Sequence, residues 1–169
     1  MLQSEVRPLR RVLLRHARDA FGSPDEVRRR WRELNYLGEP DFDAACREYD
    51  AFAGLLEQLG ATIDWMTGDD LGLDSMYVRD ASIVSKRGVI LCSMGKGARS
   101  DEPAAQGRTF DRLGTHVLGT VESPGTVEGG DVTWLDERTL AIARGYRTND
   151  AGIEQLKQLL PDVELARVP

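Results

Sequence analysis

The chain has 169 residues, enough for one domain with a substantial core, and its 41% apolar and 30% charged content is that of a soluble globular protein. Its net charge of −6 is spread along the sequence, which argues against a nucleic-acid partner. No apolar run approaches the roughly 18 residues of a membrane span, and the N-terminus lacks a signal-peptide pattern, so no membrane partner and a cytoplasmic location are expected.

The first element is a strand, "RVLLRH", closing at His16. Arg28, Arg29, Arg30 and Arg32 follow, interleaved with Val27, Trp31 and Leu34 at helical spacing, which predicts a solvated helix face. The clearest helix starts after Pro40, with Asp41 as N-cap and Phe42, Ala45, Tyr49, Phe52, Leu56 and Leu59 as its apolar stripe. Gly60 stops it and the strand "ATIDWM" follows. Next come paired strands, "ASIVS" and "GVILCS", then a helix ending in "TFDRLG" and the strand "THVLGTV". The grammar repeats with "GDVTWL", "TLAIAR", the helix "GIEQLKQLLP" and the strand "DVELARV".

The helix stops Gly60, Gly114 and Pro161 lie 54 and 47 residues apart, which predicts a repeat architecture. The expected fold is α/β: three units of a circular α/β propeller, roughly 1–66, 67–121 and 122–169, in a single incomplete domain. Open circular repeats leave apolar faces and strand edges uncovered, so the chain is expected to form a homo-oligomer or to associate with further C-terminal units.

Cys46 and Cys92 show neither a disulfide framework nor metal-ligand spacing and read as buried thiols; His16 and His116 read as structural. Neither a metal nor an organic cofactor is expected.

Three constellations carry possible chemistry. In "DSMYVRDASIV", Asp74 and Asp80 are an even number of residues apart, so in an extended chain both carboxylates, with Tyr77 between them, could face one side. Two such carboxylates repel unless a cation joins them, and a guanidinium or amidinium ligand would relieve that cost. In "EGGDV", Gly129 and Gly130 permit unusual torsions or close approach of a ligand, with Glu128 at the mouth of a site; a β-bulge or hairpin with two exposed acids, Glu128 and Asp131, is the plainer alternative. In "RGYRTND", Arg147 could hold a carboxylate through a bidentate pair, and Thr148 or Asn149 could cap the following helix.

"YVRD", then "EGGDV" some 50 residues on, then "RTN" opening a helix resemble the amidinotransferase superfamily of guanidine-modifying enzymes, most closely its dimethylarginine dimethylaminohydrolase branch beside arginine deiminase. "LLRHARDAF" and "LNYLGEPDF" are similar to that branch's opening strand and substrate-covering loop. The resemblance implies a five-unit α/β propeller, or pentein, in which a cysteine thiolate attacks a guanidinium carbon and a histidine moves protons. It implies that Asp80 binds the guanidinium nitrogens and that Glu128 assists acid–base chemistry at the same group. It further implies that Asp74, Tyr77 and Asp131 line the substrate, Arg147 faces its carboxylate, and Leu37 lies on the covering loop. The partner so implied is a small guanidino compound of arginine or methylarginine type. The family's histidine and cysteine have no counterpart in the chain, which is therefore expected to be inactive alone. Where the family has an arginine after "GVIL", the chain reads "CSMGK", leaving Lys96 or Arg99 as substitutes.

Overall fold

The computed structural model describes residues 4–68 and 71–168. They form two compact units, one from Pro8 to Val78 and the other from Arg79 onward together with the N-terminal segment through Arg7.

The Pro8–Val78 unit contains β1 (Arg11–Leu14), α1 (Ala17–Phe21), α2 (Pro24–Arg30), α3 (Phe42–Gln58) and β2 (Thr62–Trp65). β1 and β2 pair in parallel, from Arg11 opposite Thr62 to Leu14 opposite Trp65, with α3 in the crossover. His16 does not extend the strand: its Nδ1 accepts the Arg18 amide at 2.9 Å and caps α1. The neutral ring therefore carries its proton on Nε2, which donates to Asp50 Oδ1 at 3.0 Å. The α2 basic run is a solvated face, Arg28 pairing with Asp25 and Arg29 with Glu26, while Val27 packs with Ala20, Phe21, Leu34 and Leu73.

Asp41 caps α3 as its sequence predicts, accepting the Ala44 amide at 2.8 Å, and Gly60 follows the helix with φ +85°. The buried face of α3 is narrower than its apolar stripe. Cys46, Tyr49 and Ala53 are buried, whereas Phe52 and Leu59 are 45% and 72% exposed, because the elements packed on α3 cover only one side of the stripe.

The unit beginning at Arg79 contains β3 (Ser82–Ser85), β4 (Gly88–Leu91), α4 (Glu102–Arg112), β5 (Val117–Thr120), β6 (Val132–Trp134), β7 (Thr139–Ala143), α5 (Asp150–Leu159) and β8 (Glu164–Val168). Two three-stranded sheets result, β3-β4-β5 and β6-β7-β8. Each is an antiparallel hairpin whose second strand pairs in parallel with a strand reached through a helix. The fold is mixed α/β, and none of these sheets closes into a barrel.

One apolar core joins both sheets to α5. It includes Ile83, Ile90, Val121, Val132, Trp134, Leu140, Ile142, Ile153 and Leu156. Burying a side chain of the size of Ile153 or Leu156 stabilises the fold by about 1.5–3 kcal/mol, so this core fixes the loops that leave the sheets. Two of those loops meet where Ser93, just past β4, bridges Val127, just before the "EGGD" turn. Among the described residues no helix is long and apolar enough to cross a membrane.

Candidate active site

The "EGGD" stretch is not part of a strand. Gly129–Asp131 make a 3-10 turn between the Val127 bridge and β6. Glu128 is fully buried, at 0% exposure, so it is neither at the mouth of a site nor one of two exposed acids on a bulge. The Ser93–Val127 bridge draws it inward, where its Oε1 accepts the Gly95 amide at 3.0 Å. Its Oε2 accepts from Arg147 Nη1 at 3.1 Å.

The two glycines serve space rather than torsion, since neither has a positive φ. A Cβ on Gly129 would lie 2.0 Å from the Arg79 carbonyl oxygen, and one on Gly130 would lie 2.5 Å from Asp80 Oδ1. The turn thus passes directly over the Asp80 carboxylate, which a side chain at residue 130 would have to displace.

Asp80 belongs to the 3-10 turn Val78–Ala81, and Leu73–Met76 forms another. Because the segment is coiled into turns, the alternate-face relation expected of an extended chain between Asp74 and Asp80 does not hold. Asp80 Oδ2 accepts from Arg99 Nη1 at 2.6 Å. Arg99 also donates from Nε and Nη2 to the two oxygens of Glu102, both at 2.8 Å. Burial works against the Arg99 charge, but the Glu102 and Asp80 carboxylates outweigh it and hold the guanidinium above its ordinary value. Arg99, the substitute carboxylate-binding arginine that its sequence position suggested, is buried and turns its guanidinium to Asp80 and Glu102.

Arg147, just before α5, bridges two acids: Nη1 to Glu128 and Nη2 to Asp131 Oδ1 at 2.8 Å. Thr148, wholly buried, donates its hydroxyl to Asp131 Oδ2 at 2.7 Å and accepts the Glu128 amide at 3.2 Å. Asn149 caps α5 through the Gly152 amide at 2.8 Å and also accepts the Thr126 amide at 3.1 Å. The three residues "RTN" therefore hold the loop that carries Glu128 as well as starting a helix. Each guanidinium faces two carboxylates: Arg99 holds Asp80 and Glu102, and Arg147 holds Glu128 and Asp131.

Cys92 lies beside this cluster. Burial, then the Glu128 and Asp80 carboxylates, push its thiol up from the ordinary value, which suppresses the nucleophilic thiolate. Cys46 is buried in the other unit, and there too burial pushes the thiol up.

Of the residues singled out in the sequence, Asp80, Glu128, Asp131 and Arg147 come together in the unit that begins at Arg79. In the Pro8–Val78 unit, Asp74 is nearly buried, Tyr77 is half exposed and Leu37 is fully exposed on the loop after α2. Burial and the Asp74 carboxylate, then Tyr77, push the Tyr36 phenol up, placing Tyr36 beside both residues. Glu102, the pairing of Arg99 with Asp80 and Glu102, and the site role of Thr148 are what sequence reasoning missed. The i,i+3 spacing of Arg99 and Glu102 at a helix start was the available signal for the first two.

Comparison with known proteins identifies the family. The family described as Arginine deiminase matches residues 73–168. A dimethylarginine dimethylaminohydrolase from Streptomyces coelicolor is 36% identical over 121 residues, covering 69% of this chain and 45% of the relative. Another, from Pseudomonas aeruginosa, is 28% identical over 126 residues, covering 75% of this chain and 49% of the relative. The chain thus spans about half the length of these curated relatives. A solved structure of the Pseudomonas aeruginosa enzyme as a mutant complexed with citrulline superposes with a TM-score of 0.75 at 24% identity, covering 95% of this chain and 62% of that one. The matched segment holds "YVRD", "EGGD" and "RTN" together, and the chain belongs to the arginine deiminase family.

Proposed function

We propose that the chain carries the guanidinium-binding part of an amidine hydrolase of dimethylarginine dimethylaminohydrolase type, acting on arginine or a methylated arginine. The observation that carries this reading is the meeting of Asp80 and Arg147 at Gly130, with Glu128 joined to them through Arg147. Both carboxylates are held in place, Asp80 by Arg99 and Glu128 by Arg147, beside a glycine that leaves room over Asp80. A flat cation satisfies such acids through charge-assisted hydrogen bonds worth roughly 1.5–3 kcal/mol each.

In the complete reaction a thiolate sulfur bonds to the guanidinium carbon, and the carbon–nitrogen bond to the departing amine breaks, the amine taking a proton from an imidazolium. Water then attacks the same carbon and gives one proton to the imidazole; the thiolate leaves, and the hydroxyl proton passes to solvent or to the departed amine to give a urea-type product. Asp80 holds the guanidinium nitrogens, Glu128 stabilises and exchanges protons with the same group, and Arg147 faces the ligand carboxylate. On the motif resemblance, Leu37, Asp74, Tyr77 and Asp131 are further ligand-binding residues. The raised thiols of Cys92 and Cys46 suit neither for the attack, and on the motif resemblance the nucleophile and its histidine lie in segments that this chain does not contain. The sheets of strand, helix and strand are consistent with three of five propeller units, completed by self-association or by further units.

Titration calorimetry with arginine and dimethylarginine tests the reading. Binding by the wild-type chain and its loss in Asp80→Ala are expected, with no citrulline or amine released by the chain alone. Citrulline formation by the isolated chain would overturn the assignment of the nucleophile. A site that binds neither ligand would overturn the function itself.

A further inference from the structure

Glu128, Arg147, Asp131 and Thr148 form a closed ring. The Glu128 carboxylate takes Arg147 Nη1, Asp131 takes Nη2, the Thr148 hydroxyl donates to the other oxygen of Asp131, and the same hydroxyl accepts the Glu128 amide. Every link lies between 2.7 and 3.2 Å. One contact alone would leave the Arg147 guanidinium free to turn about it, whereas two contacts from different acids fix its plane. Asp131 supplies the second contact, and Thr148 sets the rotor of Asp131 by occupying its remaining oxygen.

The chemistry divides the labour within the ring. Asp131 has both oxygens engaged inside the protein and a side chain only 14% exposed. Arg147 uses two of its five N–H donors in the ring, which leaves three, and its side chain is 41% exposed. Arg147 is therefore the member that can still reach a ligand, and Asp131 is the member that aims it.

We propose that Asp131 is a positioning residue that sets specificity: through the ring it fixes the plane of Arg147, so that the site selects guanidino ligands that also carry a carboxylate. This rests on the reading of Arg147 given under the proposed function. Thr148 has the same role at one remove, and the buried Glu128 couples the guanidinium end of the ligand to the carboxylate end through one set of hydrogen bonds.

The test uses the chain itself with two ligands, arginine and agmatine, the second being the same molecule without the carboxylate. One charge-assisted contact corresponds to about tenfold in affinity or more. The wild type should prefer arginine, and Asp131→Asn should lose about tenfold in arginine affinity while agmatine binding stays within about twofold. A ligand-free readout stands beside it. In the wild type the Arg147 side-chain N–H signals, identified by their absence from Arg147→Lys, should be resolved in nitrogen-15 NMR because the guanidinium cannot rotate. Asp131→Asn and Thr148→Val should average them, and Thr148→Ser should keep them resolved. Equal loss of both ligands in Asp131→Asn, or resolved signals in that variant, overturns the proposal. If the wild type binds neither ligand the functional reading falls, and the NMR comparison alone then decides whether Asp131 fixes Arg147.

Discussion

Asp80 and Arg99 meet at 2.6 Å with side chains only 14% and 6% exposed, and Glu102 grips the other edge of the same guanidinium. Removing one member of a buried ionic group leaves the rest uncompensated, at a cost of about 3–5 kcal/mol. Arg99→Met should lose stability by about that amount in urea unfolding. The double variant Arg99→Met, Glu102→Leu should recover part of the loss, because only Asp80 then remains unpaired. A double variant no more stable than the single one would show that Glu102 is not the main partner of Arg99.

Glu128→Gln keeps the shape of the side chain and removes its charge. The amide can offer an oxygen to Gly95 or to Arg147, but its NH2 then faces the other donor. A loss of about 1.5–3 kcal/mol in stability is expected, together with loss of arginine binding in calorimetry. Unchanged stability would mean that Arg147 does not lean on Glu128 in solution.

Gly130→Ala and Gly129→Ala separate a flexible obstacle from a rigid one. The new methyl at residue 130 meets the movable end of Asp80, whereas at residue 129 it meets the Arg79 backbone oxygen. Gly130→Ala should cost about 1–3 kcal/mol and abolish ligand binding by displacing Asp80, while Gly129→Ala should cost more. Thermal denaturation of the pair gives the order, and the reverse order would contradict the packing of the turn.

The Cys92 thiol is held above its ordinary value in the folded chain, so the folded state binds that proton more tightly than the unfolded state. Its contribution is fully present below the unfolded thiol value of about 8.5 and falls as the pH rises above it, because only the unfolded chain then ionises readily. Stability measured from pH 7 to pH 10 should decline, and Cys92→Ala should show a shallower decline. In the native protein at pH 8, a thiol reagent should modify Cys92 only on unfolding. Rapid modification without unfolding would contradict its burial.

Much of the fold was legible from local rules. Asp41 reads as a cap because a short acid precedes an apolar periodicity, and it acts as one. The order of strand, helix and strand in each sheet could be read from the stops at Gly60, Gly114 and Pro161. What could not be read depends on contacts between distant residues. His16 reads as the end of a strand because "RVLL" runs into it, yet its ring captures the Arg18 amide and starts a helix instead. The glycines of "EGGD" suggested special torsions, whereas their reason lies in Arg79 and Asp80, some 50 residues earlier. The stripe on α3 names its apolar residues correctly, but only the tertiary packing decides that Tyr49 is covered and Leu59 is not.

Asn149 ties α5 to the loop before Glu128: it caps the helix through Gly152, accepts from Thr126, and donates to the Pro124 carbonyl at 2.8 Å. The loop thereby borrows its order from a helix whose Ile153 and Leu156 lie in the core. In hydrogen exchange, the amides of Thr126, Glu128 and Gly152 should open together with α5 as one cooperative unit rather than at the rate of a surface loop. The acid that the site depends on is then as long-lived as the helix behind it, and conditions that fray the first turn of α5 would disarm the site before the sheets begin to unfold.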